Sequence, residues 1–185
     1  MKIALTGKMR SGKSTVAEYL KANYGFTEFA FGDALKRYAH EIFGESSAKD
    51  RELYQWFGQT MRERDPDVWV RHLDEAVCEH FNSRPSAKRV VISDLRQPNE
   101  YEYCRREGYV VIRVTCPDNK RLERIREEGD KFDLSMLNHE TERFVDAFDV
   151  DFEVENGGRW IDAVEQVGVI MRELGVDRVW APVLF

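Results

Sequence analysis

The chain has 185 residues, 34% of them charged, with 28 Lys and Arg against 34 Asp and Glu and a formal net charge of −6. That length supports one compact domain with a sizeable core and room for a small insertion, and its interspersed, acidic charge balance argues against duplex nucleic acid or an anionic membrane as the main partner. Cys78, Cys104 and Cys116 form no Cys-x-x-Cys pair, which argues against a disulfide framework or a zinc ribbon, and no apolar run suits a signal peptide or a membrane span, so a cytoplasmic protein is expected.

Taken in chain order, residues 2–6 read as a short strand buried on both faces. Gly-Lys-Met-Arg-Ser-Gly-Lys-Ser follows at 7–14, and residues 12–24 read as a helix with Val16, Ala17 and Leu20 on one side and Gly25 as its stop. Strand, Gly-x-x-x-x-Gly-Lys-Ser and helix together make a phosphate-binding P-loop. Gly7 and Gly12 let the backbone fold back so that N–H groups converge on an anion, with the helix N-terminus adding its positive end. The loop positions Lys8, Arg10 and Ser11, with Thr15 behind them, complete the ATP-binding stretch, Lys8 and Arg10 needing no special role. Lys13 is placed for the β- and γ-phosphates and Ser14 for the Mg²⁺ that bridges them.

Beyond the loop, apolar runs at 27–31, 89–93, 110–115 and 152–155 alternate with helical patterns at 33–43, 48–61, 67–81, 98–106, 118–128, 137–148 and 159–174. Such alternation predicts an α/β fold, a parallel five-stranded sheet covered by helices in three α/β/α layers. About fifty residues, 32–82, separate the second and third strands, more than a crossover needs, and form a natural helical insertion for a second substrate. A single domain is expected, with core segments 1–31, 83–117 and 149–185.

The run Val90-Val91-Ile92-Ser93-Asp94-Leu95-Arg96 ends a β-branched strand in an acid. Asp94 is therefore a candidate Walker B carboxylate facing the Mg²⁺, the alternative being a residue that merely terminates the strand. Arg96 stands at the same sheet edge, either as a two-pronged phosphate clamp or as a surface ion pair. Arg121 and Arg124, three apart on one helix face, could stabilise a transferring phosphoryl group; interleaved Glu123, Glu127 and Glu128 fit a solvated helix equally well. Tyr54, Trp56, Phe57 and Trp69 read as core more readily than as base-stacking residues, and His40 and His72 as helix-face residues with no metal pattern.

These stretches resemble the P-loop nucleoside monophosphate kinases, most closely the phage-type deoxynucleoside monophosphate kinases. The resemblance is carried by 5–15; by Phe29-Ala30-Phe31-Gly32-Asp33-Ala34-Leu35-Lys36; by Gln55-Trp56-Phe57-Gly58 with Asp65-Pro66-Asp67-Val68-Trp69-Val70; by 91–100; and by 148–157. It implies transfer of the γ-phosphoryl of ATP to a nucleoside monophosphate. It further implies that Asp33, Lys36 and Arg96 bind this small-molecule acceptor, that Arg121 and Arg124 are catalytic arginines of a short lid at 118–142, closed by His139-Glu140-Thr141-Glu142, and that Asn156 and Gly157 pack on the donor adenine. Lys36 stands where many relatives carry Arg, so the acceptor phosphate would meet a point charge rather than a fork. Closure of the lid and of the helices at 33–64 is expected to exclude water. A dephospho-coenzyme A kinase is the alternative, and a non-catalytic nucleotide switch a further one. The apolar C-terminus, 179–185, suggests an added strand or a homodimer contact.

Overall fold

Ile3 and Leu5 have no exposed surface, nor has Ala4 between them, and the same holds for Val90, Val91 and Ile92. Side chains alternate across a strand, so burial of consecutive residues requires cover on both faces of the sheet. The computed structural model, which describes residues 1–44, 50–127 and 144–179, shows that cover. Strands β1 (Lys2–Thr6), β2 (Thr27–Phe29), β3 (Val90–Leu95), β4 (Val110–Thr115) and β5 (Phe152–Glu155) form one sheet in the order β2-β3-β1-β4-β5. Every pairing is parallel.

Helices α1 (Lys13–Tyr24) and α7 (Trp160–Glu173) cover the face that carries Ile3, Leu5, Val91 and Val114, with Val16, Leu20, Val167 and Met171 supplying their side of the core. On the other face, Ala4, Val90, Ile92 and Val111 meet Val70, Leu73 and Val77 of α4 (Val68–Ser83) and Tyr103 and Cys104 of α5 (Pro98–Arg106). Helix α1 stops where expected. Gly25 takes φ 66° and its N–H returns to the carbonyls of Leu20 and Lys21, a conformation that costs glycine nothing.

Helices α2 (Gly32–Phe43) and α3 (Arg51–Arg64) lean on α4 through a separate small core of Leu35, Ala39, Phe57 and Trp69. A Cβ built on Gly58 would lie 2.5 Å from Leu35 Cδ1, so α3 reaches α2 this closely only because Gly58 has no side chain. Helix α6 (Asp118–Glu127) follows β4. No helix among the described residues is long and apolar enough to cross a membrane.

Several boundaries differ from the sequence reading. Strand β2 ends at Phe29 because the chain turns at Phe31 and Gly32, whose N–H groups donate to Asp94. Strand β3 runs on to Leu95, so Asp94 lies inside it. Residues 144–148, expected as the end of a helix, form a turn: the Arg113 guanidinium takes the carbonyls of Val145, Asp146 and Phe148, which a continuing helix would need. The rest of the expected helix at 137–148, the lid segment from 128 to 142 and the tail from 180 lie outside the described residues. Cys78, Cys104 and Cys116 are all free thiols.

Candidate active site

Gly7 leaves β1 at φ 134°, and a Cβ there would fall 2.2 Å from the Val114 carbonyl oxygen. Gly12 turns into α1 at φ 102°, and a Cβ would meet Asn156 Nδ2 at 2.0 Å. Both positions therefore demand glycine twice over, for the backbone angle and for space. No side chain caps the N-terminus of α1, so its first-turn amides and its dipole serve the loop. Lys13 is buried, and its ammonium donates to the carbonyls of Gly7 (2.6 Å) and Lys8 (3.0 Å). Ser14 and Thr15 stand exposed on the first turn, and Ser11 is buried within the loop. Lys8 is tied outward to Asp146 at 2.9 Å, and Arg10 adopts φ 64°.

The back of the loop is held by α6 and by the turn after β5. Arg121 Nε donates to the Met9 carbonyl (2.7 Å) and its Nη1 to Asp118 (2.6 Å). Arg124 spans the carbonyls of Arg10 (3.1 Å), Ser11 (3.4 Å) and Asn156 (2.8 Å), and Asn156 Nδ2 donates to Ser11 O (2.8 Å). A planar peptide points its N–H opposite to its carbonyl. Carbonyls of Met9 and Ser11 drawn toward α6 thus turn the N–H groups of Arg10 and Gly12 away from it, the polarity an anion cradle needs. Arg121, at 3% exposure, and Arg124 bond to the carbonyls of the loop itself, where the sequence suggested either a face that swings over the transferring phosphoryl group or a solvated helix. Gly157 packs against Pro117, with a built Cβ 2.4 Å from Pro117 Cδ.

A second group of charges gathers at the C-terminal end of β3, next to β1. The Thr6 hydroxyl donates to the Leu95 carbonyl (3.1 Å), fastening the two strand ends together. Asp94 accepts the N–H of Phe31 (2.8 Å) on one oxygen and of Gly32 (2.9 Å) on the other, which anchors the start of α2. Desolvation pushes its carboxyl above the usual carboxylate range, while the two amides, Arg96 and Lys36 pull it back. Asp94 was expected to face a metal; both of its oxygens are engaged by α2 instead, and an ion there would have to share them.

Lys36 lies one turn into α2, its ammonium 3.7 Å from Asp33, whose other oxygen accepts the Ala30 N–H (3.0 Å). A Cβ on Gly32 would sit 3.2 Å from Asp94 and 3.8 Å from the Lys36 ammonium. These residues share one small space. Among the described residues no cluster of three or more His, Cys, Asp or Glu could cage a metal.

Two members of this group escaped the sequence reading. Glu100, 4% exposed, accepts the N–H groups of Arg96 and Gln97 (both 2.9 Å) as the capping box of α5, and Arg62 of α3 pairs with its other oxygen at 3.9 Å. The spacing Gln97-Pro98-Asn99-Glu100 was a legible capping signal. Arg62 had only its place four residues after Gly58, on the face turned to α2.

Burial and the Asp94 charge push the Glu100 carboxyl to about 7, above its usual 4.5. A carboxyl raised on folding stabilises the protein below its unfolded value, and that contribution is lost as pH rises through the folded value. Between pH 5 and 8 the wild type should therefore lose up to about 3 kcal/mol relative to Glu100→Gln. Urea denaturation of both proteins across that range is the check, and parallel curves would refute it.

Phe57 and Trp69 are core and Trp56 is exposed, so the aromatics follow the core reading except at Trp56. His40 meets the Tyr54 hydroxyl (2.6 Å) and His72 lies 3.3 Å from Glu75.

Comparison with known proteins agrees with this frame. Residues 3–144 match the family model described as an AAA domain. A protein of Acanthamoeba polyphaga mimivirus named "Putative deoxynucleotide monophosphate kinase" is 28% identical, over 75% of this chain and 89% of its own. Among solved structures, TT1252 from Thermus thermophilus superposes with a TM-score of 0.61 at 21% identity, covering 94% of this chain and 97% of that one. Shikimate kinase from Bacteroides thetaiotaomicron gives 0.56 at 16% identity, covering 95% and 99%. Likeness at such identities is likeness of fold, whereas the family match takes in the loop, both halves of the charged sheet edge and α6: the chain belongs to the AAA-domain family and is a P-loop kinase.

Proposed function

We propose that the protein transfers the γ-phosphoryl of ATP to the phosphate of a nucleoside monophosphate, a deoxynucleoside monophosphate by preference, giving ADP and the diphosphate. The observation that carries this reading is the second cationic group, Lys36 and Arg96, at the end of the strand adjacent to the P-loop strand. A kinase whose acceptor is an uncharged alcohol has no need of a second anion site. The name of the mimivirus relative supports the same acceptor class.

In this reading the loop amides and Lys13 hold the donor phosphates. Mg²⁺ would be held by the exposed Ser14 hydroxyl and the phosphates, keeping several waters. When bound, the ion would neutralise charge on the β- and γ-phosphates. An acceptor phosphate oxygen attacks the γ-phosphorus, the bond to the β,γ-bridging oxygen breaks, and ADP leaves with that electron pair. No general base is required, since the nucleophile is already an anion. The work of the protein is to set two anions in line, Lys36 and Arg96 on one side and the P-loop on the other. Asp33 and Asp94 keep α2 in register for that, and Asn156, Gly157 and Pro117 would border the adenine. A cytoplasmic location and small molecules as the only substrates belong to the same proposal.

The test is ADP release from ATP and Mg²⁺ against ribo- and deoxynucleoside monophosphates, dephospho-coenzyme A, shikimate and simple sugars. Stimulation by a monophosphate is expected, and stimulation by one of the others alone would replace the reading. Arg96→Ala should raise the acceptor KM by about 10- to 100-fold, the worth of a charge-assisted contact, with the KM for ATP nearly unchanged. Equal loss of both would remove Arg96 from the acceptor site.

A further inference from the structure

The Asn156 side chain faces the phosphate-binding loop. The residue is 5% exposed, its Nδ2 donates to the Ser11 carbonyl (2.8 Å), and a Cβ built on Gly12 would fall 2.0 Å from that nitrogen. Ser11 O and the Gly12 N–H belong to one planar peptide and point in opposite directions. A donor that fixes the carbonyl therefore fixes the N–H, and a flip of this peptide would turn a carbonyl oxygen into the cradle. Gly12, at φ 102° and ψ 20°, has no side chain of its own to resist such a flip.

Asn156 is itself held by its backbone. Its N–H donates to the Thr115 carbonyl at the end of β4 (2.8 Å), and its carbonyl accepts the Arg124 guanidinium of α6 (2.8 Å). The residue before it is fastened by Gln166 of α7, whose side-chain amide pairs with both backbone groups of Glu155 as a neighbouring strand would: Oε1 accepts the N–H (2.9 Å) and Nε2 donates to the carbonyl (3.0 Å). Nε2 also donates to the Asp162 carbonyl one turn back (3.1 Å), which ties the clamp to its own helix. Gln166, Glu155, Asn156 and Ser11 thus connect α7 to the loop.

We propose that Asn156 is a positioning residue for the phosphate cradle, acting through the Ser11-Gly12 peptide, and that Gln166 keeps it in place from α7. The family resemblance sets Asn156 against the donor adenine, whereas its side-chain donor is committed to the loop. Arg124 Nη1 reaches the same Ser11 carbonyl at 3.4 Å, so the amide is the closer donor, and a neutral one. The inference rests on the loop holding the phosphates of a nucleoside triphosphate and not on the identity of the acceptor. Asn156 orients the cradle, and no bond is made or broken at it.

The experiment titrates three ligands calorimetrically, each with Mg²⁺, into wild type, Asn156→Ala and Gln166→Ala: non-hydrolysable analogues of ATP and of GTP, and inorganic tripolyphosphate. Asn156→Ala should weaken all three by the same factor, about 10-fold, the cost of leaving a buried acceptor short of its donor, and should keep the ratio of ATP to GTP affinity within about two-fold of wild type. Gln166→Ala should shift the three together by a smaller factor, about two- to five-fold, because its bonds lie at an exposed edge and act through the backbone. A loss confined to the ATP analogue, or a changed ratio, would assign Asn156 to the base and overturn the inference. Tripolyphosphate binding that Asn156→Ala leaves within about two-fold of wild type, or that wild type lacks altogether, overturns it as well. If Asn156→Ala does not fold, Gln166→Ala with all three affinities unchanged overturns it equally. The monophosphate panel is read separately: no acceptor enters these titrations, so a failed panel would sink the proposed reaction and leave the role of Asn156 standing.

Discussion

Lys13→Ala is expected to lower kcat for phosphoryl transfer by about 10²- to 10³-fold, the usual cost of removing one preorganised charge from a developing transition state. The ammonium is buried and reaches back across the loop to the carbonyls of Gly7 and Lys8, the two residues that open it. Charge on the transferring group spreads over its outer oxygens, so a fixed cation gains more there than in the ground state. The KM for ATP should move far less than kcat, because the amides of the loop and of α1 continue to hold the phosphates. Single-turnover kinetics with saturating ATP measures this directly. A variant that loses ATP affinity and keeps its chemical rate would assign Lys13 to binding alone.

Trp69→Ala is expected to cost about 3 to 5 kcal/mol, in the range for a large aromatic removed from a core. Trp69 is 2% exposed, its indole N–H donates to the Gly58 carbonyl (3.2 Å), and its ring lies 6.0 Å from that of Phe57. Leu35, Ala39, Phe57 and Trp69 make up the small core that joins α2, α3 and α4, distinct from the two cores on the faces of the sheet. Loss should therefore fall on the acceptor side. Hydrogen exchange should rise in α2 and α3 well before it rises in β1 and α1, and the acceptor KM should rise more than that for ATP. Trp69→Phe, which keeps most of the volume but not the N–H, should recover the larger part. Equal loss of protection in β1 would show that the helices and the sheet unfold as one unit.

The same separation explains why the charged sheet edge can be both rigid and adjustable. Asp94 fastens α2 to β3 through two amides, so the entry of the helix is fixed. Farther along, α3 rests on that small core and reaches the rest of the site through Arg62. Asn99 adds a tether, its amide donating to the Pro66 carbonyl and to Asp67 (both 2.9 Å), which holds the turn between α3 and α4 against the start of α5. The helices of the proposed acceptor side thus hang from β3 and α5 by a few polar ties.

Much of this protein was legible in its residues alone. Gly-x-x-x-x-Gly-Lys-Ser after Ile3-Ala4-Leu5 determined a P-loop because the angles at Gly7 and Gly12 and the approach of Asn156 admit no other residue. The run Val90-Val91-Ile92 determined a central parallel strand because residues apolar on both sides must be covered on both. Lys13 and Arg96 lie within or beside such signals, Lys36 was marked only by the family resemblance, and the structure sets Lys36 and Arg96 both near Asp94. What local pattern could not hold is which distant groups share a carboxylate or a carbonyl. Tertiary structure alone decided that Asp94 spends its oxygens on α2, that Arg121 and Arg124 grip the loop from behind, and that Arg62 comes to Glu100 from another helix. Periodicity reports which face of an element is buried; it carries no information on which partner waits there, and the charges of this site are set by their partners.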